Sequence, residues 1–420
     1  MEKKYLHRVI DEYLTFKLEA TGAVLIEGAK YCGKTSTAKE KASSVLSMQD
    51  PDHAEANIQL ASLKPSLLLQ GDTPRLIDEW QIAPVLWDAV RHMVDERNET
   101  GQFILTGSAV PVLEGHRHTG TGRISRVMMR PMSLYESKES NGMVSLKDLF
   151  DGKRDIEGIS TLSIEQLAFA ISRGGWPATL ERSNRVALQN VFDYVDAVTN
   201  EDVSRVDGVE RDAQRVRLLM RSYARNISTM ASNTTICNDM AADETVSDKT
   251  VASYIHALKQ IYVIEDVPAW SPSLRSKTAI RTSSKRQFVD PSIAVATLRT
   301  TPERLLRDFH TFGYLFESLC VRDLRVYSQV NDGAVYHYHD KNELEADIIV
   351  ELFDGRWGAI EVKLGLKEVD EAAKNLIKLR GKINTKKMQE PSFLMVLTGG
   401  QYAYCREDGV LVVPLGCLKD

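Results

Sequence analysis

A short run near the start of this chain of 420 residues has the residue types and spacing to hold a polyphosphate. In Gly28-Ala29-Lys30-Tyr31-Cys32-Gly33-Lys34-Thr35 the two glycines, the lysine and the hydroxyl fall in the pattern G-x-x-x-x-G-K-[ST]. Such glycines let the backbone curl so that several N–H groups converge on phosphate oxygens. Lys34 then reaches the β- and γ-phosphates, and the Thr35 hydroxyl ligates Mg2+. Ser36 follows in the first turn of the helix the pattern requires, whose positive N-terminal end also attracts an anion.

The elements needed to position these groups are legible on both sides. Ala23-Val24-Leu25-Ile26 is a continuous apolar run of the kind buried on both faces of a parallel sheet, and Thr37 to Ala42 reads as helix. Leu76-Ile77-Asp78-Glu79 is a second strand end, carrying two carboxylates. Beside a phosphate loop, Asp78 is placed to hold Mg2+ and Glu79 to act as general base on the attacking water. Phe103-Ile104-Leu105-Thr106-Gly107-Ser108 is a third strand ending in hydroxyls, so that Thr106 or Ser108 could orient the γ-phosphate or the water.

These stretches, with Trp80-Gln81 after the acids, Gly122-Arg123-Ile124 and Arg130-Pro131-Met132-Ser133-Leu134, resemble the prokaryotic AAA-type ATPases related to the STAND group that carry a C-terminal domain of unknown function. The resemblance spans most of the chain. It implies an ATP-binding and ATP-hydrolysing domain with ATP and Mg2+ as cofactors, and an arginine finger for which Arg123 or Arg126 is the candidate. It further implies that Gly174-Gly175-Trp176-Pro177 is a lid element that brings Pro177 to the nucleotide base; a plain turn explains the same residues.

The middle of the chain is locally basic. Arg217, Arg221 and Arg225 recur every four residues on a predicted helix, with Arg211 and Arg215 before them. Val246 to Leu258 reads as a turn and an amphipathic helix bearing Lys249, Ser253, His256 and Lys259. Past Trp270 come Arg275, Lys277, Arg281, Lys285 and Arg286 with no acidic residue among them. Helix-turn-helix followed by a basic hairpin is the outline of a winged helix, which either contacts DNA or, as in STAND-type ATPases, packs as a structural lid.

The last third holds a second constellation. Glu345 to Glu351 alternates like a strand, Asp354-Gly355 supplies a turn, and Trp357 to Lys363 returns. Glu361 and Lys363 share a face, roughly 7 Å apart along the backbone, and Asp347 on the paired strand can join them. One aspartate followed by E-x-K resembles the PD-(D/E)xK nuclease core, with Glu317 as the helix-borne acid. That resemblance implies Mg2+ on Asp347 and Glu361 with Lys363 acting on water. The proline that precedes the first aspartate in the pattern is absent here, and acidic residues outnumber basic ones from Asn331 to the end.

Composition frames the whole. With 43% hydrophobic and 26% charged residues, a chain of this length forms two or three domains. A net charge of −5 excludes a protein wholly devoted to polyanions. There is no apolar run of eighteen residues and no signal-peptide core, and the five cysteines form no C-x-x-C pair, which points to the cytoplasm. The expected fold class is α/β: a P-loop domain with a parallel sheet over 1–140, a helical lid and winged helix over 141–300, and an α/β nuclease-like domain over 301–420. Glu136 to Gly142 is the best linker by composition. Three functions stay open: an ATP hydrolase driving a conformational switch, with DNA as one candidate target; an ATP-gated nuclease; and a nucleotide-dependent regulator or scaffold. An oligomer is compatible with all three.

Overall fold

Ala23 to Ile26 are buried from both sides, as a wholly apolar strand inside a parallel sheet must be. The computed structural model describes residues 5–108, 119–240, 247–272, 282–383 and 388–420. They divide into two units, the first made of Met1–Pro131, Glu201–Glu210 and His256–Val263 and the second of the remainder.

In the first unit, helix α1 (Ile10–Ala20) leads into β1 (Ala23–Glu27) and α2 (Lys34–Lys41). There follow β2 (Ser44–Ser47), α3 (Ala54–Leu63), β3 (Arg75–Asp78), α4 (Val85–Arg97), β4 (Phe103–Gly107) and β5 (Ile124–Met128). The strands form one parallel sheet in the order β2-β3-β4-β1-β5. The register pairs Glu27 with Gly107 and Asp78 with Thr106, so the carboxyl ends of β1, β4 and β3 lie along one edge. In an open α/β sheet that edge is where ligands bind. Beneath it, Trp80 and Trp87 pack with ring centroids 5.0 Å apart in a cluster with Leu86, Val90, Phe103 and Leu105. Truncating Trp87 to alanine would cost roughly 3–5 kcal/mol.

The second unit combines helices with a seven-stranded mixed sheet. Its labelled helices are α5 (Ile164–Arg173), α6 (Asn184–Ala197), α7 (Ala213–Arg225), α8 (Asn233–Met240), α9 (Asp248–Gln260), α10 (Pro291–Thr297), α11 (Phe309–Val330) and α12 (Val369–Lys382); the last turns of α9 count with the first unit. Its strands are β6 (Val144–Ser145), β7 (Gly158–Ile159), β8 (Gly333–His339), β9 (Glu345–Leu352), β10 (Trp357–Lys363), β11 (Phe393–Thr398), β12 (Tyr402–Cys405), β13 (Leu411–Pro414) and β14 (Leu418–Lys419). The sheet runs β7-β12-β13-β11-β10-β9-β8, and β6 pairs with β14 separately. Val369, Ala372, Ala373, Leu376 and Leu379 of α12 pack against Trp357, Ala359 and Val396.

The α5 helix opens on a capping box, with Ser163 and Gln166 each bonding the other's backbone. After α9, antiparallel bridges join Ile264 to Phe288 and Val267 to Lys285, giving a narrow ribbon. The segment that composition marks as a linker is instead packed: Glu136 and Ser140 are buried, the Ser133 N–H donates to Glu136, and Ser140 donates to the Leu418 carbonyl. Polar composition reads as solvent exposure only until tertiary partners are known.

Candidate functional site

Between β1 and α2 the chain turns through backbone states that only glycine adopts cheaply. Gly28 has φ 150° and Gly33 φ 106°. A Cβ on Gly28 would sit 2.0 Å from the Met129 carbonyl oxygen, so the start of the loop tolerates no side chain. Arg8 anchors the loop from behind, donating to the Cys32 and Arg130 carbonyls, each at 2.8 Å. Cys32 is fully buried and its thiol faces the Met129 carbonyl. No side chain caps α2, which leaves the N-terminal end of that helix to a ligand.

Lys34 folds back over this loop, its ammonium donating to the Gly28 and Ala29 carbonyls at 2.8 Å each. Lys30 extends the other way, to Asp202 at 2.5 Å. Thr35 and Asp78 meet directly, Thr35 Oγ1 donating to Asp78 Oδ1 at 2.7 Å, and Thr106 Oγ1 donates to the same oxygen at 2.5 Å. Ser36 is exposed in the first turn.

Glu79 follows β3 in the left-handed region, φ 58°, which is uncommon for a residue with a side chain. Its backbone N–H donates to Thr106 Oγ1 at 3.4 Å. Its carboxylate accepts from Gln81 Nε2 and, at 3.3 Å, from the Ser108 hydroxyl. Gly107 makes room for this turn, because a Cβ there would lie 2.9 Å from Gln81 Oε1. The loop, Thr35, Asp78, Glu79 and Thr106 thus share one edge of the sheet. An uncapped helix, a lysine turned inward and a hydroxyl–carboxylate pair fit a Mg2+-bound nucleoside triphosphate.

Arg123 is not brought to this edge. It precedes β5, where its carbonyl accepts from Ala23 N–H at the start of β1, and its guanidinium holds Asp95 at 2.8 Å. The length of β1, five residues or roughly 16 Å, separates that end from the phosphate loop. Arg126 binds Glu27 at 3.0 Å, an oxygen that Tyr262 also contacts at 3.0 Å. Gly174 and Gly175 serve a close approach inside their own unit. The Gly175 N–H donates to Asp290, and a Cβ there would lie 2.1 Å from the Met132 carbonyl oxygen. Pro177 begins a short 3-10 turn and is half-buried.

The second constellation also assembles, with an added member. Lys363 Nζ lies 3.1 Å from Glu361 Oε2 and 3.9 Å from Asp347 Oδ2, which accepts from the Val362 N–H at 2.9 Å. Lys285 enters from the ribbon and binds Glu317 Oε1 at 2.8 Å and Asp347 Oδ1 at 3.2 Å. Burial raises the Glu317 carboxyl to about 7, with Lys285 pulling the other way. Burial works against the Asp347 charge as well, but Lys285 and Lys363 outweigh it and hold that carboxyl below its ordinary range. Burial and the Asp347 charge together push Glu361 up. The carboxylates raise Lys285 and Lys363 against the effect of burial.

Arg217, Arg221 and Arg225 of the middle region are exposed, and two of them pair with neighbouring groups of the same chain. Arg217 reaches Asn200 and Asp196, and Arg225 reaches Asp239. Arg286 bonds Asp266, Tyr223, Asn233 and the Ala231 carbonyl. Arg275, Lys277 and Arg281 lie outside the described residues. Lys249, Ser253, His256 and Lys259 form an exposed face of α9. Sequence reasoning assigned no role to Gln81, Asp202 or Arg8, and read Lys285 as a wing residue; of these only Gln81, two residues past Glu79, carried a local signal.

Residues 20–138 match a family described as an AAA domain. Residues 164–304 match a Domain of unknown function (DUF8612) and 312–418 a Domain of unknown function (DUF4143). Uncharacterized proteins of Mycobacterium tuberculosis and Mycobacterium bovis are each 23% identical over 349 residues, covering 82% of this chain and 71% of theirs. Among solved structures, the chain is similar to a Walker-type ATPase of Pyrococcus abyssi, with 14% identity, 68% of this chain and 94% of that one covered, and a TM-score of 0.40. It is also similar to a STAND protein with a tetratricopeptide repeat sensor from Pyrococcus horikoshii, with 12% identity, 78% and 50% covered, and a TM-score of 0.24.

Proposed function

We propose that this chain, whose N-terminal part is a P-loop domain of the AAA type, is a Mg2+-dependent ATP hydrolase that uses the nucleotide cycle to drive a conformational switch. The observation that carries this reading is the convergence of Thr35 and Thr106 on one oxygen of Asp78, beside a Glu79 carboxylate held by Gln81 and Ser108. Gly28, Gly33 and the start of α2 cradle the phosphates through backbone N–H groups, and Lys34 leaves its loop carbonyls for the β- and γ-phosphates. Thr35 and Asp78 would hold Mg2+, which neutralises charge on the phosphate oxygens. Glu79 accepts the proton of the attacking water at its carboxylate, while Thr106 positions Asp78.

In this reading residues 1–140 are the input, 141–300 the lid and winged helix, and 301–420 the partner-facing domain. Because Arg123 sits at the far end of β5 in its own chain, its finger role requires a second copy of the chain. Five free cysteines fit a reducing cytoplasm, and among the described residues no helix is long and apolar enough to cross a membrane. The exposed face Lys249, Ser253, His256 and Lys259 supports DNA as a second ligand, tested by salt-dependent binding to a duplex. The principal reading is tested by Glu79→Gln, which should retain ATP binding and lose steady-state turnover. An unchanged rate would remove Glu79 as the base.

A further inference from the structure

The cluster formed by Glu317, Asp347, Glu361 and Lys363 looks, by residue type, like a divalent-cation site. Its geometry does not fit one. The position an ion would take between Glu317 and Asp347 is filled by the Lys285 ammonium, at 2.8 Å from Glu317 Oε1 and 3.2 Å from Asp347 Oδ1. The second Asp347 oxygen is taken by the Val362 N–H and faces Lys363. Glu361 Oε2 is taken by Lys363, which leaves Glu361 Oε1, buried and unbonded, as the one oxygen of this pair without a partner. A hard cation can take its remaining ligands from water, so what bars one here is the ammonium already standing between Glu317 and Asp347. With the ammonium in place, no group of three His, Cys, Asp or Glu side chains among the described residues is spaced to hold an ion, so a site would form only if these carboxylates closed in on a cation that replaced it.

Lys285 is not a surface side chain that happens to fall inward. Its backbone exchanges two hydrogen bonds with Val267, at 2.9 and 3.0 Å, which fixes the residue to the ribbon, and its side chain is 9% exposed. The neighbouring Arg286 is tied to Asp266, Asn233 and the Ala231 carbonyl, so the strand on which Lys285 rides is held on both sides. A buried ammonium at this depth is tolerated only where carboxylates surround it. Conversely, buried carboxylates this close need a positive charge between them or a proton on one of them.

We propose that Lys285 takes the place of the divalent cation, making the cluster a closed internal ion network that binds no metal and cuts no nucleic acid. The ribbon then locks the position between Glu317 and Asp347 against an ion. Removing the ammonium should open a cation site made of Glu317, Asp347 and Glu361.

The test counts bound Mn2+ by electron paramagnetic resonance on the full chain without nucleotide, with folding of each variant checked by circular dichroism. Wild type should bind no Mn2+ that depends on Asp347, whereas Lys285→Ala should bind one Mn2+ per chain and lose it in the Lys285→Ala/Asp347→Asn double variant. Dependence on Asp347 separates this site from the Thr35/Asp78 pair. The proposal is overturned if wild type binds a Mn2+ ion that Asp347→Asn removes, or if a folded Lys285→Ala chain binds none. Should Lys285→Ala not fold, Lys285→Met keeps the apolar stem and is judged by the same two outcomes. The wild-type measurement decides on its own whether the native cluster holds a metal.

Discussion

The Thr106 hydroxyl donates to Asp78 Oδ1 at 2.5 Å, from the middle strand of three whose carboxyl ends share the site edge. Asp78 therefore arrives with its carboxylate already oriented toward Thr35. Positioning of this kind is worth about 10- to 100-fold in metal affinity or activity where it has been measured at metal sites. Thr106→Val keeps the shape and removes the donor, so the Mg2+ concentration for half-maximal ATP turnover should rise by about that factor. Thr106→Ser should recover most of the loss. A Mg2+ dependence unchanged in Thr106→Val would mean that Thr35 alone suffices.

Glu79 spends backbone strain, φ 58°, to bring its carboxylate beside Gln81 and Ser108. Gln81 holds that carboxylate without neutralising it. Gln81→Ala should lower kcat about 10- to 100-fold with KM little changed, because a misplaced base affects the reaction more than substrate binding. Gln81→Glu should be worse still, since a second carboxylate would repel Glu79 and favour its protonated form. Equal effects of the two variants on kcat and KM would point to a general loosening of the loop instead.

Legibility from sequence followed locality. The phosphate loop, Asp78 and Glu79 are read from consecutive residues because the turn needs its glycines and the strand ends need their acids within a few positions of one another. The hairpin holding Asp347, Glu361 and Lys363 is legible for the same reason. Lys285 lies 32 residues from Glu317 and 62 from Asp347, and its composition-based reading as a wing cation carried no hint of burial. For Arg217, Arg225 and Arg286, a count of charges along the chain does not reveal the pairing partners Asp196, Asp239 and Asp266. The pattern at Gly174 and Gly175 reads as a lid approaching a nucleotide; what lies against Gly175 here is Met132. Arg123 depended on which end of a strand it flanked, and only the sheet register shows that.

Asp202 places a carboxylate against the phosphate loop through Lys30, at 2.5 Å and with the aspartate 9% exposed. That negative charge opposes the arrival of a triphosphate while Lys30 favours it. Asp202→Asn should tighten binding of a fluorescent ATP analogue two- to fivefold, about 0.5–1 kcal/mol for a partly screened pair. The gain should shrink at high salt. Weaker binding in the variant would show that Asp202 instead orders the loop for its ligand.

His337, on β8, gives the second unit a defined weakness in acid. It is fully buried, its Nε2 lies 3.0 Å from the Ser283 carbonyl, and its Nδ1 has no partner. Burial, followed by the charge of Lys285, lowers its pKa from 6.5 to about 4, while the Ser283 carbonyl acts weakly in the other direction. Between those values the unfolded chain holds more protons at this position than the folded one, so stability rises with pH there. Its contribution is complete above about pH 6.5 and is lost as pH falls toward 4. His337→Gln retains a side-chain N–H for the Ser283 carbonyl and cannot titrate. The variant should melt below wild type at pH 7.5, and the gap in Tm should narrow steadily as pH drops to 4.5. A gap independent of pH would mean that His337 does not become protonated on unfolding in this range.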